Sequence, residues 1–337
     1  MIAAGRDGPV FLEPCARRAA ALDHRMRARL ADSLRYLMSE AADSLGLPAN
    51  TLDEFLLRLH SGPVAPLAFG AYYELVPAIE NGEHDLARRL ALEIAAAPAH
   101  PGGPQVVDLP GTGCRHHRLT DTDSDARVGM SAPHGDDSRA CRALVDAAFA
   151  LLESADPESA AETRTLLREI VLASGDSGPA DAMTFDGASS FMLWGAFIVN
   201  VQTHADRLDM VQTIAHESTH TLLFGLCADG PLADNDDRER YASPLRPDAR
   251  PMDGILHATC VCARVHRMLA RLLDRGALAG DEAARASQAM AASAQGFHSG
   301  MEIIGRHARL TDLGRAVMAG ARGCMRAACG DAAGLRA

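Results

Sequence analysis

Apolar residues recur at helical intervals through most of this chain, and the elements they predict are mainly helices. From about Ala16 to Ala42, "ARRAAALDHRMRARLADSLRYLMSEAA" spaces Leu, Met and Ala as one long amphipathic helix. A second is expected over roughly 50–61, with Asn50 or Thr51 as its cap. The stretch 66–97 predicts two more, so the N-terminal third reads as a helical layer. Helices are also expected near 138–154, 157–173, 206–226, 255–273, 281–307 and 311–328. Two interruptions break this pattern. Residues 97–137 are crowded with Gly, Pro, Asp and Ser, and only "QVVDLP" looks like a strand. That segment reads as a long surface excursion or a domain junction, with His116 and His117 as solvated loop residues. The aromatic and β-branched "DAMTFDGASSFMLWGAFIVN" (181–200) reads as one or two strands, with Gly187 and Gly195 as punctuation. The expected fold is mainly α with a small β element, an α+β chain. Its divisions are an N-terminal helical region, 1–136, and a second region, 137–337, built around the 206–226 helix.

Composition narrows the functional classes. The chain has 337 residues, enough for one large or two moderate domains, and its abundant alanine and few aromatics favour helices. A net charge of −11 with no dense basic stripe argues against nucleic acid and against anionic membranes. The longest apolar run, "FMLWGAFIV", falls well short of the ~20 residues that cross a bilayer. No signal-peptide core stands out near the N-terminus, so a soluble, cytoplasmic protein is expected. The eight cysteines are scattered without a C-x-x-C pair and read as reduced, mostly buried thiols.

The chemistry sits in "MVQTIAHESTHTLLFG" (210–225), where His216, Glu217 and His220 form H-E-x-x-H. On a helix, positions four apart lie one turn apart on one face, so both imidazoles can meet one metal ion. Leu208, Val211, Ala215, Leu222 and Leu226 form the core stripe of that helix, with Leu223 flanking. A third ligand is still needed. The metzincin pattern fails, because Leu223 and Leu226 occupy its glycine and third-histidine positions. The acidic cluster Asp234, Asp236, Asp237 and Glu239 reads as a solvated loop, and no helical carboxylate pair stands out downstream. His257, opening the next helix, is the better third ligand, and a surface role suits His266. Three neutral histidines would leave the ion its full charge, a function similar to the facial triad of non-haem iron oxygenases.

Between these ligands lies "YASPLRPDARP" (241–251), offering Tyr241, Ser243, Arg246 and Arg250. A 2-oxoglutarate cosubstrate chelates iron through its keto acid and needs a guanidinium, with hydroxyl helpers, for its distal carboxylate. Three prolines would stiffen such a loop. On residue types alone, the two arginines equally suit surface ion pairs with the acidic cluster.

The segment from "HESTH" through "RYASPLRPDARPMDGILHA", with "RLTDLGRAV" near the C-terminus, resembles the HExxH-motif peptide-modification proteins of bacterial natural-product gene clusters. The resemblance is strongest over about 185–325. It implies an Fe(II)- and 2-oxoglutarate-dependent oxygenase that uses dioxygen to hydroxylate a side-chain carbon of a ribosomally made precursor peptide. Iron would be held by His216, His220 and His257. Arg246 would take the distal carboxylate, with Tyr241 and Ser243 as helpers and Arg250 in reserve. Glu217 would then orient a ligand or the substrate. The alternatives are a zinc peptidase, with Zn(II) in place of iron and Glu217 as general base, and a non-catalytic peptide-binding module. The N-terminal helices suit either a leader-peptide grip or a homodimer contact.

Overall fold

The computed structural model describes residues 12–48, 50–120, 129–175, 185–245 and 248–328. In chain order the first half contains α1 (Ala16–Ala41), α2 (Asp53–Ser61), α3 (Pro66–Glu80), α4 (His84–Ala96), β1 (Gln105–Asp108), α5 (Arg115–Thr120) and β2 (Met130–Ser131). Then follow α6 (Gly135–Ala155), α7 (Pro157–Leu166), β3 (Glu169–Gly175), β4 (Gly187–Ser189) and β5 (Ala196–Asn200). The rest is helical: α8 (Arg207–Leu226), α9 (Met252–Asp274), α10 (Gly280–His307) and α11 (Asp312–Ala328). The fold is therefore mainly α with a small mixed sheet, as the patterning predicts. None of the described helices is long and apolar enough to cross a membrane.

Two compact units interleave along the chain. One takes the described parts of Met1–Cys15, Val145–Ala161 and Asp206–Ala337; the other takes those of Ala16–Leu144 and Glu162–Ala205. These units do not coincide with a division at 136/137.

The second unit holds the whole sheet, in the order β1-β3-β5-β4, with β2 also paired to β3. β3 runs parallel to both β1 and β5, while β4 and β2 add antiparallel pairs. This corrects two expectations. The helix expected over 157–173 ends at Leu166, and β3 begins at Glu169. Ile170–Ala173 are buried in succession, because a strand between two parallel neighbours is covered on both faces. Such an unbroken apolar run carries no period that separates strand from helix. The supposed excursion over 97–137 supplies β1, α5 and β2, while 121–128 lie outside the described residues. His116, expected in solvent, is 4% exposed and points Nε2 at Glu169 Oε2, 3.3 Å away. Leu109, Met130, Val171, Ala173, Phe185 and Ile198 form one apolar cluster on the sheet. Gly195 is needed where it stands: at φ +86° its carbonyl accepts from the amides of Arg168 (2.7 Å) and Glu169 (3.1 Å). Neither Asn50 nor Thr51 caps α2; Leu52 occupies the cap, and the Thr51 hydroxyl donates to the Pro48 carbonyl.

The first unit is built on α8 to α11. α8 starts where Asp206 accepts from the amides of Leu208 (2.9 Å) and Asp209 (3.2 Å). Arg285 of α10 grips the same carboxylate at 2.6 and 3.0 Å, and Arg207 pairs with Glu282 at 2.8 Å. α9 and α10 lie close because α10 is thin where α9 faces it. A Cβ on Gly300 would fall 2.0 Å from Thr259 Oγ1, and one on Gly296 would fall 2.8 Å from Cys262 Sγ. Cys141, Cys260, Cys262 and Cys324 are buried, Cys15, Cys114 and Cys227 are half-buried, and Cys329 lies outside the described residues. Burial pushes the Cys262 thiol up to about 12.

The cap carries a pH-dependent prediction. Arg285 holds the Asp206 carboxyl below its ordinary value of 3.8, and the two backbone bonds act the same way. A depressed folded-state value means that the charge contributes stability above the unfolded value and loses it as pH falls through the folded one. Asp206→Ala should cost about 1 kcal/mol near neutral pH. Asp206→Asn keeps a capping oxygen and should cost less, its deficit shrinking as the pH approaches about 3. Urea unfolding of the three proteins at both pH values measures this; an Asn deficit that grows on acidification contradicts it.

Candidate metal centre

The predicted stripe of α8 is buried at Leu208, Val211, Leu222, Leu223 and Leu226, with Ala215 half-buried. Packing of that stripe holds the helix whose adjoining face carries the histidines. The ring centroids of His216 and His220 lie 5.0 Å apart. α9 begins at Met252, so His257 sits on its second turn, and its ring centroid is 5.3 Å from that of His220. The two rings face each other nitrogen to nitrogen, Nδ1 to Nδ1, at 3.0 Å. The third ligand expected from the next helix is thus beside the motif. Among the described residues, however, no three His, Cys, Asp or Glu side chains gather tightly enough to enclose an ion. Two donors converge, and the third ring stands one turn away.

Burial favours the neutral form of two of these rings, His220 and His257. Burial lowers His220 well below 6.5, and the neighbouring His216 and His257 rings push the same way. Burial also lowers His257, while Asp253 opposes it. Neutral imidazole is the form that donates a lone pair to a metal. Glu217 is buried beside the centre, its Oε1 4.0 Å from His216 Nε2.

Two neighbours went unnoticed in the sequence. Asp253 Oδ2 lies 3.7 Å from His257 Nε2, outside hydrogen-bond reach, and its charge opposes the effect of burial on that ring. Its signal was the D-x-x-x-H spacing of one helical turn. Phe224 sets its ring 6.3 Å from His220 and 5.5 Å from His257, an apolar wall one turn beyond the motif. His266 corrects an expectation: it is buried, 6% exposed, with Nδ1 2.9 Å from the Met290 carbonyl. Arg264 beside it is buried too, donating to Thr219 Oγ1 (3.1 Å) and to the Leu12 carbonyl (2.7 Å).

The loop after α8 closes on itself. Tyr241 and Arg250 exchange both backbone hydrogen bonds at 2.8 Å, so the residues between them leave and return through one neck. Arg250 Nη1 lies 3.3 Å from Asp248 Oδ2, and Ser243 Oγ accepts from the Leu245 amide at 3.3 Å. Arg246 lies outside the described residues. The Tyr241 hydroxyl donates to Glu239 and accepts from Asn235 Nδ2 at 3.0 Å. Asp234, Asp236 and Asp237 are exposed, as a solvated acidic run should be.

Against known proteins, the chain matches no family model and no curated protein.

Proposed function

We propose that this protein is an Fe(II)- and 2-oxoglutarate-dependent oxygenase that hydroxylates a side-chain carbon of a ribosomally made precursor peptide. The observation that carries the proposal is the 3.0 Å approach of two neutral imidazole nitrogens from α8 and α9. A set of three neutral imidazoles would leave six-coordinate iron with open positions for the keto acid and dioxygen. His216, His220 and His257 would hold the ion. When bound, iron and the keto acid together supply the oxidising power to place one oxygen atom of dioxygen on a carbon, the keto acid leaving as succinate and carbon dioxide.

The chain's own residues bind, orient and exclude water. The buried leucines of α8 hold the helix that carries two of the histidines, and Phe224 would keep bulk water from two of the rings. Arg246 is the first candidate for the distal carboxylate, with Tyr241 and Ser243 as helpers and Arg250 in reserve. Glu217 would orient a ligand or the peptide. Its burial beside His216 also supports a second reading, a zinc peptidase in which Glu217 is the general base.

One experiment separates these readings. Protein loaded anaerobically with Fe(II) is titrated with 2-oxoglutarate, then given air and the co-expressed precursor peptide. The oxygenase should show a weak visible charge-transfer band, form succinate, and add one oxygen atom to the peptide by mass spectrometry. Glu217→Gln should retain much of that turnover. Cleavage of the peptide by zinc-loaded protein, abolished in Glu217→Gln, would establish the peptidase instead. No metal binding and no product would leave a peptide-binding module.

A further inference from the structure

Arg264 follows His257 by seven residues on α9, two helical turns, so both side chains leave the same face of that helix. Arg264 is buried, 7% exposed, and its Nε donates to Thr219 Oγ1 of α8 at 3.1 Å. Thr219 is fully buried, directly before His220 and three positions after His216. Its own proton is committed, since Oγ1 donates to the Ala215 carbonyl at 2.6 Å and so meets Arg264 as an acceptor. From the far end of the same guanidinium, Nη1 donates to the carbonyl of the buried Leu12 at 2.7 Å. Three residues on, Arg267 grips Glu13 Oε2 at 3.0 Å and Asp156 Oδ2 at 2.7 Å. The donor that meets Thr219 is therefore held from behind. Consecutive residues of α8, Thr219 and His220, thus meet two residues of α9 that lie two turns apart. Contacts at two levels of one helix limit both its sliding and its rotation against the other.

We propose that Arg264 and Thr219 are positioning residues of the metal centre: their hydrogen bond sets α9 against α8, and with it the approach of His257 to His220. This rests on the metal reading, which the oxygenase and the peptidase share. Neither residue is a ligand. Both act before the metal binds, since donors already spaced for an ion need no helix movement to reach it.

The test uses the full chain and Co(II) alone, with affinity read by chelator competition and metal-free stability by urea unfolding. Thr219→Val keeps the volume, removes the acceptor and should weaken Co(II) binding roughly tenfold. Thr219→Ser keeps the hydroxyl, loses only the methyl and should bind Co(II) near the wild-type level. Because Thr219→Val strands a buried donor, it costs stability; the double variant Arg264→Met/Thr219→Val makes both partners apolar and avoids that cost. The double variant should show the same roughly tenfold loss, so that Thr219→Val made on Arg264→Met adds nothing further. Wild-type affinity in Thr219→Val or in the double variant overturns the proposal. So does a Thr219→Ser loss equal to that of Thr219→Val, which would assign the effect to packing of the methyl. Wild-type protein that binds no Co(II) overturns the metal centre and both enzyme readings, whereas failure of the positioning role alone leaves wild-type binding intact.

Discussion

Replacing His220 by alanine should lower the affinity for Fe(II), or for Co(II) as its air-stable substitute, by more than about 100-fold. Its ring centroid lies 5.0 Å from that of His216 and 5.3 Å from that of His257, so its loss removes the donor that both neighbours approach. His257→Ala removes the donor from α9 and should weaken binding less, because His216 and His220 still share one helix face. The order of the two effects is the informative part. Chelator competition on both variants measures it, with circular dichroism to establish that α8 and α9 persist. Metal affinity unchanged in His220→Ala would remove the metal centre from consideration, and with it both enzyme readings.

The second large effect concerns folding of the sheet unit. Asp23 of α1 is buried and accepts from three donors: Arg27 Nε at 2.9 Å, Arg168 at 3.0 Å and the Trp194 indole at 3.2 Å. Arg27 and Arg168 are themselves buried, and burial pulls the Arg168 guanidinium down from its ordinary range while Asp23 opposes it. Asp23→Ala would strand two guanidiniums without their shared counter-ion. The expected loss is about 3–5 kcal/mol, the cost of an uncompensated buried charge. Urea unfolding followed by fluorescence of Trp194, the one tryptophan in the chain, reads it directly. A loss under about 1 kcal/mol would mean that solvent reaches the pair and screens it.

Much of the architecture was legible because helices announce themselves by period. α1, α3, α4, α6, α8, α9, α10 and α11 fall within a few residues of the stretches where apolar residues recur at helical spacing. The sheet was half legible. β1 and β5 stood out, but β3 did not, since its buried run Ile170–Ala173 lacks alternation. β2 comprises two residues, Met130 and Ser131, and exists only through its pairing with β3, so nothing local could mark it. The glycine- and proline-rich segment around them looked peripheral for the same reason: its contribution lies in partners more than thirty residues away.

The candidate site divides along the same line. Spacing alone put His216, Glu217 and His220 on one turn, because helix geometry is local and i, i+4 neighbours follow from it. Whether His257 or His266 would join them depended on how α9 lies against α8, which only packing decides. His257 meets His220, while His266 turns to the Met290 carbonyl of α10. The destination of the Tyr241 hydroxyl was likewise a tertiary matter. Its acceptor Glu239 is two residues away, but the Asn235 that completes the bond is held by His307 and Arg309 from another helix corner. Local periodicity determines which residues share a face; which faces meet is determined by close packing and by the need of every buried polar group for a partner.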